Sequence, residues 1–331
     1  MSKRVIVTGG AGFIGSHTAE RFLAAGWSVD IVDNLASGKR ANLPAGATFH
    51  ELDIGSAEAA SLVEQVKPDV IIHLAAQMDV RKSVADPVFD ARTNIIGSLN
   101  LLEAMRRHSP RTRLVFSSTG GVIYGDQTTP PNVETFPKNP DSPYAIAKLS
   151  VELYLAYYAR IHGLDTAALR YGNVYGPRQD PHGEAGVVAI FCGRILDGEP
   201  LTIFGDGQQT RDYVYVRDVV DATFRAATQV LPDAKLLDTR SFNVGTGVGT
   251  SVVRIAEVLQ QAAGSRVPLN FAPHRPGEQQ QSFVDIGKAG RELDWRPAVT
   301  LEQGLAKSFE WFAARHAQEQ RPAAAATAAR A

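Results

Sequence analysis

The sequence predicts an α/β protein with a doubly wound parallel sheet, followed by a smaller C-terminal α/β region. Two observations support this fold class. Short β-branched runs alternate with amphipathic stretches in the first half, and several runs are apolar on both faces, as parallel strands covered by helices must be. The first run also leads into a glycine-rich turn, from Gly9 to Gly15, with a helical pattern behind it.

The strands and helices follow from these patterns in chain order. In the first half we predict strands at residues 4–8, 28–32, 48–51, 70–74, 113–117 and 166–170. Shorter strands are predicted in the second half at 201–204, 213–215, 241–244 and 269–271. The longest helices are predicted at 93–107 and 142–162, with others near 216–230, 251–263 and 301–317. This alternation favours right-handed strand–helix–strand units within one sheet.

The chain of 331 residues is long enough for about two domains. We place the first at residues 1–173 and the second at 174–317, with some segments of the second returning to the first. The polar, glycine-rich stretch 179–186 indicates a loop over a site. Residues 318–331 are mostly alanine and lack bulky side chains for packing, so we expect a disordered tail.

Composition excludes several classes of function. Hydrophobic residues make up 44% and charged residues 21%, as in ordinary globular proteins. The 34 basic and 35 acidic side chains nearly cancel, which disfavours nucleic-acid binding. No apolar run approaches the ~18 residues that cross a bilayer. A single cysteine, Cys192, cannot form an internal disulfide, so we expect a cytoplasmic protein.

The turn after the first strand predicts a Rossmann-type dinucleotide site. Gly9, Gly12 and Gly15 suit a sharp turn in which the backbone approaches a pyrophosphate and the helix packs tightly on the sheet. Asp33 ends the second strand, where a carboxylate accepts hydrogen bonds from the adenosine ribose and repels a 2′-phosphate. NAD is therefore favoured over NADP, although the nearby Arg40 keeps NADP open. Asp53 is a candidate for the adenine edge, with a plain surface carboxylate as the alternative.

A second pattern predicts acid–base chemistry. Tyr144 and Lys148 are four residues apart on a predicted helix, so they share one face. A nearby ammonium lowers the pKa of a tyrosine, as a tyrosine base near neutral pH requires. Ser118 and Thr119 close the fifth strand, at the sheet edge where ligands bind, and either hydroxyl can relay a proton to Tyr144.

Together these motifs resemble the extended short-chain dehydrogenase/reductase superfamily. The resemblance covers roughly residues 3 to 312 and adds His73-Leu74-Ala75-Ala76, Asn94 and the run from Leu169 to Arg178. Within the superfamily the chain resembles the UDP-glucose 4-epimerases of the NAD-dependent epimerase/dehydratase family. The resemblance implies an NAD cofactor, a UDP-sugar substrate and a homodimer that pairs through the two longest helices.

The resemblance also assigns site residues. The residues implied for NAD are Gly9, Gly12, Phe13, Ile14, Asp33, Asn34, Asp53, Ile54, Leu74, Ala75, Ala76, Asn94, Ser117, Tyr144, Lys148 and Tyr171. Tyr144 is implied as the base, Lys148 as its partner, and Thr119 as the relay hydroxyl, with Ser118 as the alternative. The residues implied for the substrate are Thr119, Tyr144, Asn173, Val187, Thr202, Ile203, Phe204, Arg211, Tyr213, Arg275, Glu278 and Ser282.

Two further expectations concern the substrate side. Arg211 and Arg275 suit a diphosphate, because guanidinium groups bind phosphate oxygens in pairs. Asp180, His182 and Glu184 have irregular spacing, so we expect a polar lid there and no metal site. In the family the position of Ser282 gates the sugar pocket, and a small residue there admits a 2-acetamido group.

The implied activity is NAD-dependent 4-epimerisation of a UDP-hexose, UDP-galactose or UDP-glucose, through a transient 4-keto sugar with Tyr144 as the base. The same reaction on a UDP-N-acetylhexosamine or UDP-glucuronate stays open. An NAD(P)-dependent sugar-nucleotide dehydratase or reductase is a further alternative, although Gly120 and Gly121 follow Thr119 where dehydratases carry Asp-Glu. A non-catalytic dinucleotide-binding protein is the last alternative. It is disfavoured because such a protein has no need of the hydroxyl, Tyr144 and Lys148 together.

Overall fold

The computed structural model describes residues 2–181, 186–274 and 279–320. Its strands are β1 (Arg4–Thr8), β2 (Ser28–Asp33), β3 (Thr48–Glu51), β4 (Val70–His73), β5 (Arg113–Thr119), β6 (Asp165–Tyr171), β7 (Asn173–Tyr175), β8 (Leu201–Phe204), β9 (Thr210–Arg211), β10 (Tyr213–Tyr215), β11 (Ser241–Val244), β12 (Thr250–Ser251), β13 (Leu269–Ala272) and β14 (Gln281–Ser282). Its α-helices are α1 (Phe13–Ala24), α2 (Ala57–Val66), α3 (Val80–Ala85), α4 (Pro87–Ala91), α5 (Gly97–His108), α6 (Pro143–His162), α7 (Val187–Leu196), α8 (Val216–Thr228), α9 (Val252–Ala263), α10 (Gly287–Glu292) and α11 (Leu301–Glu319).

Seven parallel strands form the main sheet in the order β11-β6-β5-β4-β1-β2-β3. The predicted doubly wound sheet is therefore confirmed. The strand order reverses between β1 and β4, and a crevice opens at such a switch point beyond the carboxyl ends of the strands. The glycine-rich turn after β1 and the end of β4 both lie at this crevice.

The apolar strands explain why the sheet is covered on both faces. On one face α1 and α8 pack on a core that includes Phe22, Val219 and Trp295. On the other face α2, α5 and α6 enclose Leu62, Leu101 and others. Because α8 comes from the second half of the chain, that half contributes both a helix and the edge strand β11 to the first.

The second half builds three small sheets around its own core. The parallel pair β8 and β13, the parallel pair β7 and β10, and the three strands β12-β9-β14 each span only two to four residues. The helices α7, α9 and α11 pack together beside them. Within the described residues, no helix is both long enough and apolar enough to cross a membrane.

Several predicted bounds need correction. The fifth strand runs two residues further than predicted, so Ser118 and Thr119 belong to β5. The predicted helix 93–107 begins with π-helical hydrogen bonding at Arg92–Ile96 before α5 continues it. The last helix extends to Glu319, two residues into the predicted tail 318–331. Residues 321–331 lie outside the described part of the chain.

Candidate active site

The turn between β1 and α1 has the geometry of a dinucleotide cradle. Gly9 has a φ of +70°, which L side chains rarely adopt, and a Cβ on it would lie 2.8 Å from the backbone nitrogen of Ala75. A Cβ on Gly15 would lie 2.1 Å from the carbonyl oxygen of Gly9. Gly12 caps α1 without a side-chain hydrogen bond, so backbone N–H groups there are available to phosphate oxygens.

Asp33 braces this cradle as well as facing the crevice. Its carboxylate accepts hydrogen bonds from the backbone nitrogens of Ala11, at 3.0 Å, and Leu35, at 2.8 Å. Arg40, the residue that kept NADP open, forms an ion pair with Glu51. The guanidinium that would receive a 2′-phosphate is thus already engaged, which favours NAD.

A polar pair lies just beyond the ends of β2 and β3. The side-chain amide of Asn34 donates to Asp53 at 2.9 Å, and the same carboxylate accepts from the backbone nitrogen of Gly55 at 2.8 Å. Ile54 is buried beneath them. Asn34, Asp53 and Ile54 are therefore brought together, as the sequence predicts.

The end of β4 is tied to the end of β1. The hydroxyl of Thr8 accepts from the backbone nitrogens of Leu74 and Ala75, at 3.2 Å each, and lies 2.8 Å from Nδ1 of His73. Nε2 of His73 lies 2.9 Å from the hydroxyl of Ser98. Burial is the largest cause that lowers the pKa of His73 to about 3, so the ring is a neutral bridge between the two elements.

Asn94 is fixed by two residues that the sequence analysis missed. Its amide nitrogen donates to the carbonyl oxygen of Gln77 and to Oδ1 of Asp90, at 2.9 Å each, and its oxygen accepts from the backbone nitrogen of Gln77. Gln77 Nε2 also donates to Asp90 Oδ1. The other oxygen of this buried carboxylate, Oδ2, has no hydrogen-bond partner. The spacing of four between Asp90 and Asn94 was the available signal.

Tyr144 and Lys148 lie on the first turns of α6, as predicted. The side chain of Ser142 caps this helix by accepting from the backbone nitrogen of Ala145. The ammonium of Lys148 donates to the carbonyl oxygen of Ser117 at 2.8 Å and lies 5.7 Å from the centre of the Tyr144 ring. The pair is thereby held at the carboxyl end of β5.

The charges around this pair do not act as the sequence analysis expected. Burial, and then the charge of Asp90, raise the pKa of Tyr144 above its usual value. Burial lowers the pKa of Lys148 to about 8, while Asp90 and Glu152 oppose that shift. In the chain by itself, burial is the larger influence on the pKa of Tyr144 and acts against the lowering expected from the Lys148 ammonium.

Ser118 and Thr119 point to different surroundings, since neighbouring strand residues face opposite sides. The hydroxyl of Ser118 donates to Glu152, which forms a fully buried ion pair with Arg170 at 2.6 Å. A Cβ on Gly121 would lie 3.8 Å from the hydroxyl oxygen of Thr119. The Ser118 hydroxyl is thus bonded within the buried Glu152–Arg170 network, whereas Thr119 faces the space beside Gly121.

Asn173 and Ser282 face the same space. The same Cβ on Gly121 would lie 3.7 Å from Oδ1 of Asn173 and 4.0 Å from the hydroxyl of Ser282. The Ser282 hydroxyl donates to the carbonyl oxygen of Gly121 at 2.7 Å. Three of the predicted substrate residues, Thr119, Asn173 and Ser282, therefore converge around Gly121.

A model of the NAD dependent epimerase/dehydratase family matches residues 5–245 of the chain. The chain belongs to this family. It is 44% identical over 314 residues to the UDP-glucose 4-epimerase of Mycolicibacterium smegmatis, covering 93% of this chain and 98% of that protein.

Two solved structures are similar to this member of the epimerase/dehydratase family along almost their whole length. The UDP-glucose 4-epimerase of Thermotoga maritima with UDP-glucose matches with a TM-score of 0.90, 46% identity and coverage of 95% of this chain and 99% of that one. The UDP-glucose 4-epimerase of Thermus thermophilus in complex with NAD matches with a TM-score of 0.86, 44% identity and coverage of 93% and 98%.

The remaining predicted residues of the family site differ in how they are placed. Phe13 and Ile14 begin α1, Ala76 follows the end of β4, and Val187 begins α7. Tyr171 is buried, and its hydroxyl lies 2.8 Å from that of Thr223. Its ring therefore belongs to the core beneath the site, and the implied role of closing over the nicotinamide has no support in these contacts.

Strand β8, which carries three of the predicted substrate residues, is also only partly open. Thr202 accepts from Arg194 at 2.9 Å, Phe204 is half-buried, and Ile203 is fully buried in the core of the second half. Tyr213 is buried, and the Arg211 guanidinium donates to the carbonyl oxygen of Thr210 at 2.9 Å.

Four residues of the substrate side lie outside the described residues, namely Arg275, Glu278, His182 and Glu184. Among the residues that are described, no three His, Cys, Asp or Glu side chains are grouped as a metal site requires.

Proposed function

We propose that this protein is an NAD-dependent 4-epimerase of UDP-hexoses that interconverts UDP-galactose and UDP-glucose. The observation that carries the proposal is the position of Tyr144 and Lys148. The Lys148 ammonium is bonded to the carbonyl oxygen of Ser117 at the carboxyl end of β5. The glycine cradle follows the carboxyl end of β1 in the same parallel sheet, and Thr119, beside Gly121, ends β5 itself. The pair thus lies at the sheet edge that also carries the cofactor cradle and the proposed sugar space. The similarity to UDP-glucose 4-epimerases over nearly the whole chain supports the same activity.

The residues of the crevice fit NAD. The glycine turn and the uncapped start of α1 suit a pyrophosphate, Asp33 suits the ribose hydroxyls, and Asn94 is held rigid beside them. When bound, NAD would accept the hydride from C4 of the sugar and would add positive charge to the site.

Tyr144 acts as the base that removes the proton from the C4 hydroxyl, with Thr119 as the relay. Burial opposes ionisation of this phenol in the chain alone. The base therefore becomes effective only when further positive charge adds to that of Lys148. We expect Tyr144 to be a poor base in the cofactor-free chain, which limits its chemistry to the loaded enzyme.

The substrate side holds the nucleotide while the sugar moves. Arg211 and Arg275 bind the diphosphate, and Asn173 and Ser282 line the space that the sugar occupies. The 4-keto sugar would turn over within that space, so that hydride returns to the other face of C4 while Tyr144 returns the proton to the C4 oxygen. Because no electrons are lost overall, the protein turns over without added cofactor.

A second substrate class has support from one observation. Gly121 and Ser282 are both small where they face the sugar space, and the Ser282 hydroxyl is turned to a backbone carbonyl. This leaves room for a 2-acetamido group, so we propose that UDP-N-acetylgalactosamine is also accepted. Ser282→Tyr fills that room and should lower kcat/KM for this substrate at least tenfold more than for UDP-galactose. An unchanged ratio would contradict the gating role.

Dehydration is disfavoured by the shape of the same loop. A Cβ on Gly120 would lie 2.9 Å from a methyl group of Val284 and 3.0 Å from the carbonyl oxygen of Arg170. The first acidic side chain of the dehydratase pattern has no space at this position.

A homodimer is part of the proposal. Ile146, Leu153, Tyr157 and Ile161 are exposed and follow one face of α6. Ile96, just before α5, is exposed too, and apolar stripes of this kind mark association surfaces. Light scattering after size exclusion should give twice the mass of 35.6 kDa for the wild type and the monomer mass for Leu153→Glu. A monomeric wild type would contradict the dimer.

With its single, buried thiol at Cys192, the protein is also proposed to be cytoplasmic.

The experiment that tests the function is incubation of the purified protein with UDP-galactose and no added cofactor, followed by NMR of the product. Appearance of UDP-glucose up to equilibrium would support 4-epimerisation with bound NAD. Absence of conversion, even after addition of NAD, would overturn the proposal.

A further inference from the structure

Asp212 is a buried carboxylate that lies between the elements of the substrate side. Its side chain is 1% exposed and is part of neither the cofactor cradle nor the Tyr144–Lys148 pair. Oδ1 accepts from the backbone nitrogen of Thr246 at 2.6 Å and from its hydroxyl at 2.7 Å. Oδ2 accepts from the backbone nitrogens of Gly247, at 3.1 Å, and Val284, at 3.3 Å. One side chain thus satisfies four donors from two separate segments.

The backbone of Asp212 extends the same connections. Its nitrogen donates to the carbonyl oxygen of Ser282 at 3.0 Å, and its carbonyl oxygen accepts from the nitrogen of Asn173 at 2.6 Å. Its chain neighbours are Arg211 and Tyr213. The residues proposed to contact the substrate on β7, β9, β10 and β14 are therefore all bonded to Asp212 or adjacent to it.

The packing leaves this carboxylate little freedom. A Cβ on Gly245 would lie 2.3 Å from Oδ2 of Asp212, and a Cβ on Gly172 would lie 2.7 Å from its carbonyl oxygen. Two backbone segments thus press against the residue from either side. Such close packing fixes the position of the carboxylate and, through its hydrogen bonds, the positions of its donors.

We infer that Asp212 is a positioning residue, which sets the mutual placement of Asn173, Arg211 and Ser282 and so determines the affinity for the UDP-sugar. The inference rests on the proposed function, because those residues are substrate ligands only in that proposal. The strands concerned span two or three residues each and have few ladder hydrogen bonds of their own. The backbone of Asp212 bonds two of these strands directly, and its carboxylate ties Val284, two residues after Ser282, to the turn at Thr246 and Gly247.

An amide cannot replace this carboxylate. An ionised Asp accepts at both oxygens, whereas Asn accepts at one and presents an NH₂ group at the other. In Asp212→Asn that NH₂ group faces either the Thr246 donors or the nitrogens of Gly247 and Val284. One pair of donors is left unsatisfied, and the two segments move apart to relieve it.

Asp218 provides a matched control. It is a buried carboxylate of the same half of the chain, and it accepts from the backbone nitrogens of Ala298 and Val299 at 3.1 Å each. Asp218→Asn therefore also takes an acceptor oxygen from a buried backbone donor, and neither of its two bonds goes to a proposed substrate ligand.

The test measures UDP binding by calorimetry, and kcat and KM with UDP-galactose, in the full chain. For Asp212→Asn we expect the Kd for UDP and the KM to rise at least tenfold, with kcat within threefold and the content of bound NAD unchanged. For Asp218→Asn we expect a lower Tm and a KM within twofold of the wild type. A merely structural role of Asp212 would lower Tm and active fraction while leaving KM in place.

Thr246→Val keeps the test decisive if Asp212→Asn does not fold. It removes the hydroxyl that donates to Asp212 and accepts from the backbone nitrogen of the exposed Val248 at 3.3 Å, and it keeps the backbone donor of Thr246. The expected rise in Kd for UDP is about threefold. Thr166→Val, which removes a buried hydroxyl bonded to the carbonyl oxygen of Leu155, is its control. Unchanged UDP binding in Asp212→Asn, or in Thr246→Val where Asp212→Asn does not fold, would overturn the inference alone. A wild type that does not bind UDP would overturn the proposed function and the inference together.

Discussion

The cofactor half and the substrate half of the site are held together in different ways. The cofactor cradle lies at the ends of β1, β2 and β4, which are neighbours in one parallel sheet with a continuous register. The proposed substrate half lies on β7, β9 and β14, which pair over two or three residues. The backbone of Asp212 bonds Asn173 of β7 and Ser282 of β14, and its carboxylate bonds Val284 and the turn at Thr246 and Gly247. Backbone pairing fixes the first half, and a single residue links the parts of the second.

Mutations in the two halves should therefore affect ligand binding differently. Damage to the cradle should abolish cofactor binding, because a rigid sheet does not adapt to an added atom. Damage to the substrate half should change affinity gradually, because short strands can move. The reacting pair lies between the halves, so its loss should affect chemistry and neither binding function.

Removal of the base should have the largest effect. Tyr144→Phe keeps the ring beside Lys148 and deletes the hydroxyl, and general acid–base catalysis contributes about 10²–10⁴-fold. We expect kcat to fall about a thousandfold while bound NAD and the Kd for UDP stay near those of the wild type. Single-turnover assays with UDP-galactose and calorimetry with UDP would check this. Loss of binding along with kcat would contradict the separation of the reacting pair from the two halves.

An added methyl group in the cradle should have the next largest effect. Gly15→Ala places a Cβ 2.1 Å from the carbonyl oxygen of Gly9, which cannot yield without moving the turn. We expect at least a hundredfold loss of NAD affinity, measured as cofactor content and by titration. Gly193→Ala is the control, because a Cβ there meets no atom within 4 Å. It lies within α7, where replacing Gly with Ala should stabilise the fold by up to about 1 kcal/mol.

The difference between the two halves also explains which features of the fold and the site could be predicted from the sequence. The strands of the main sheet were predicted within two residues, because a two-sided apolar run between glycine or polar turns has few alternatives. The cradle and the Tyr144–Lys148 pair followed from spacing, since four residues along a helix always share a face. Those features are local in the chain.

The features that escaped prediction depend on distant contacts. Glu152 and Asp212 are carboxylates whose partners come from other segments, such as Arg170 for Glu152 and Val284 for Asp212. No spacing along the chain reveals such pairs, whereas Asp90 has one local partner, Asn94, four residues on. The choice between Ser118 and Thr119 was undecided for the same reason, because it depends on which side of β5 faces Glu152.

That choice can be tested directly. Thr119 faces Gly121 and the proposed sugar space, so Thr119→Ala should lower kcat about tenfold to a hundredfold with little loss of stability. Ser118→Ala removes a donor from the buried Glu152 carboxylate, which should cost about 1–3 kcal/mol of unfolding free energy and leave kcat within threefold. Kinetics and denaturant unfolding on both variants would check this. The opposite pattern would assign the relay to Ser118.

The smallest expected effect concerns the charge between the two halves. Asp90 raises the pKa of Tyr144 and also opposes the lowering of the pKa of Lys148. Asp90→Asn keeps the hydrogen bonds at Oδ1 and replaces Oδ2, which has no partner, so the change removes charge with little loss of bonding.

The direction in which Asp90→Asn shifts the kcat–pH profile follows from its effects on the pKa values of Tyr144 and Lys148. Without the Asp90 charge the phenol ionises at lower pH, so the acid limb of the kcat–pH profile moves down. Lys148 also loses its proton at lower pH, so the alkaline limb moves down as well. His73 stays neutral through this range, and Glu152 remains as the other carboxylate near Lys148. We therefore expect the whole profile to shift to lower pH with a maximum within about threefold of the wild type.

Asp86→Asn is the control for this experiment. It removes a carboxylate from the start of α4, where it caps the helix by accepting from the backbone nitrogen of Phe89, and Asn is an equally good cap. Its profile should coincide with that of the wild type. A profile of Asp90→Asn that also coincides would mean that Asp90 acts only by fixing Asn94 in the cofactor half. A shift of the Asp90→Asn profile without loss of bound NAD would mean that the charge of Asp90 tunes the pKa values of Tyr144 and Lys148. The reacting pair would then depend on a residue that also fixes Asn94 in the cofactor half.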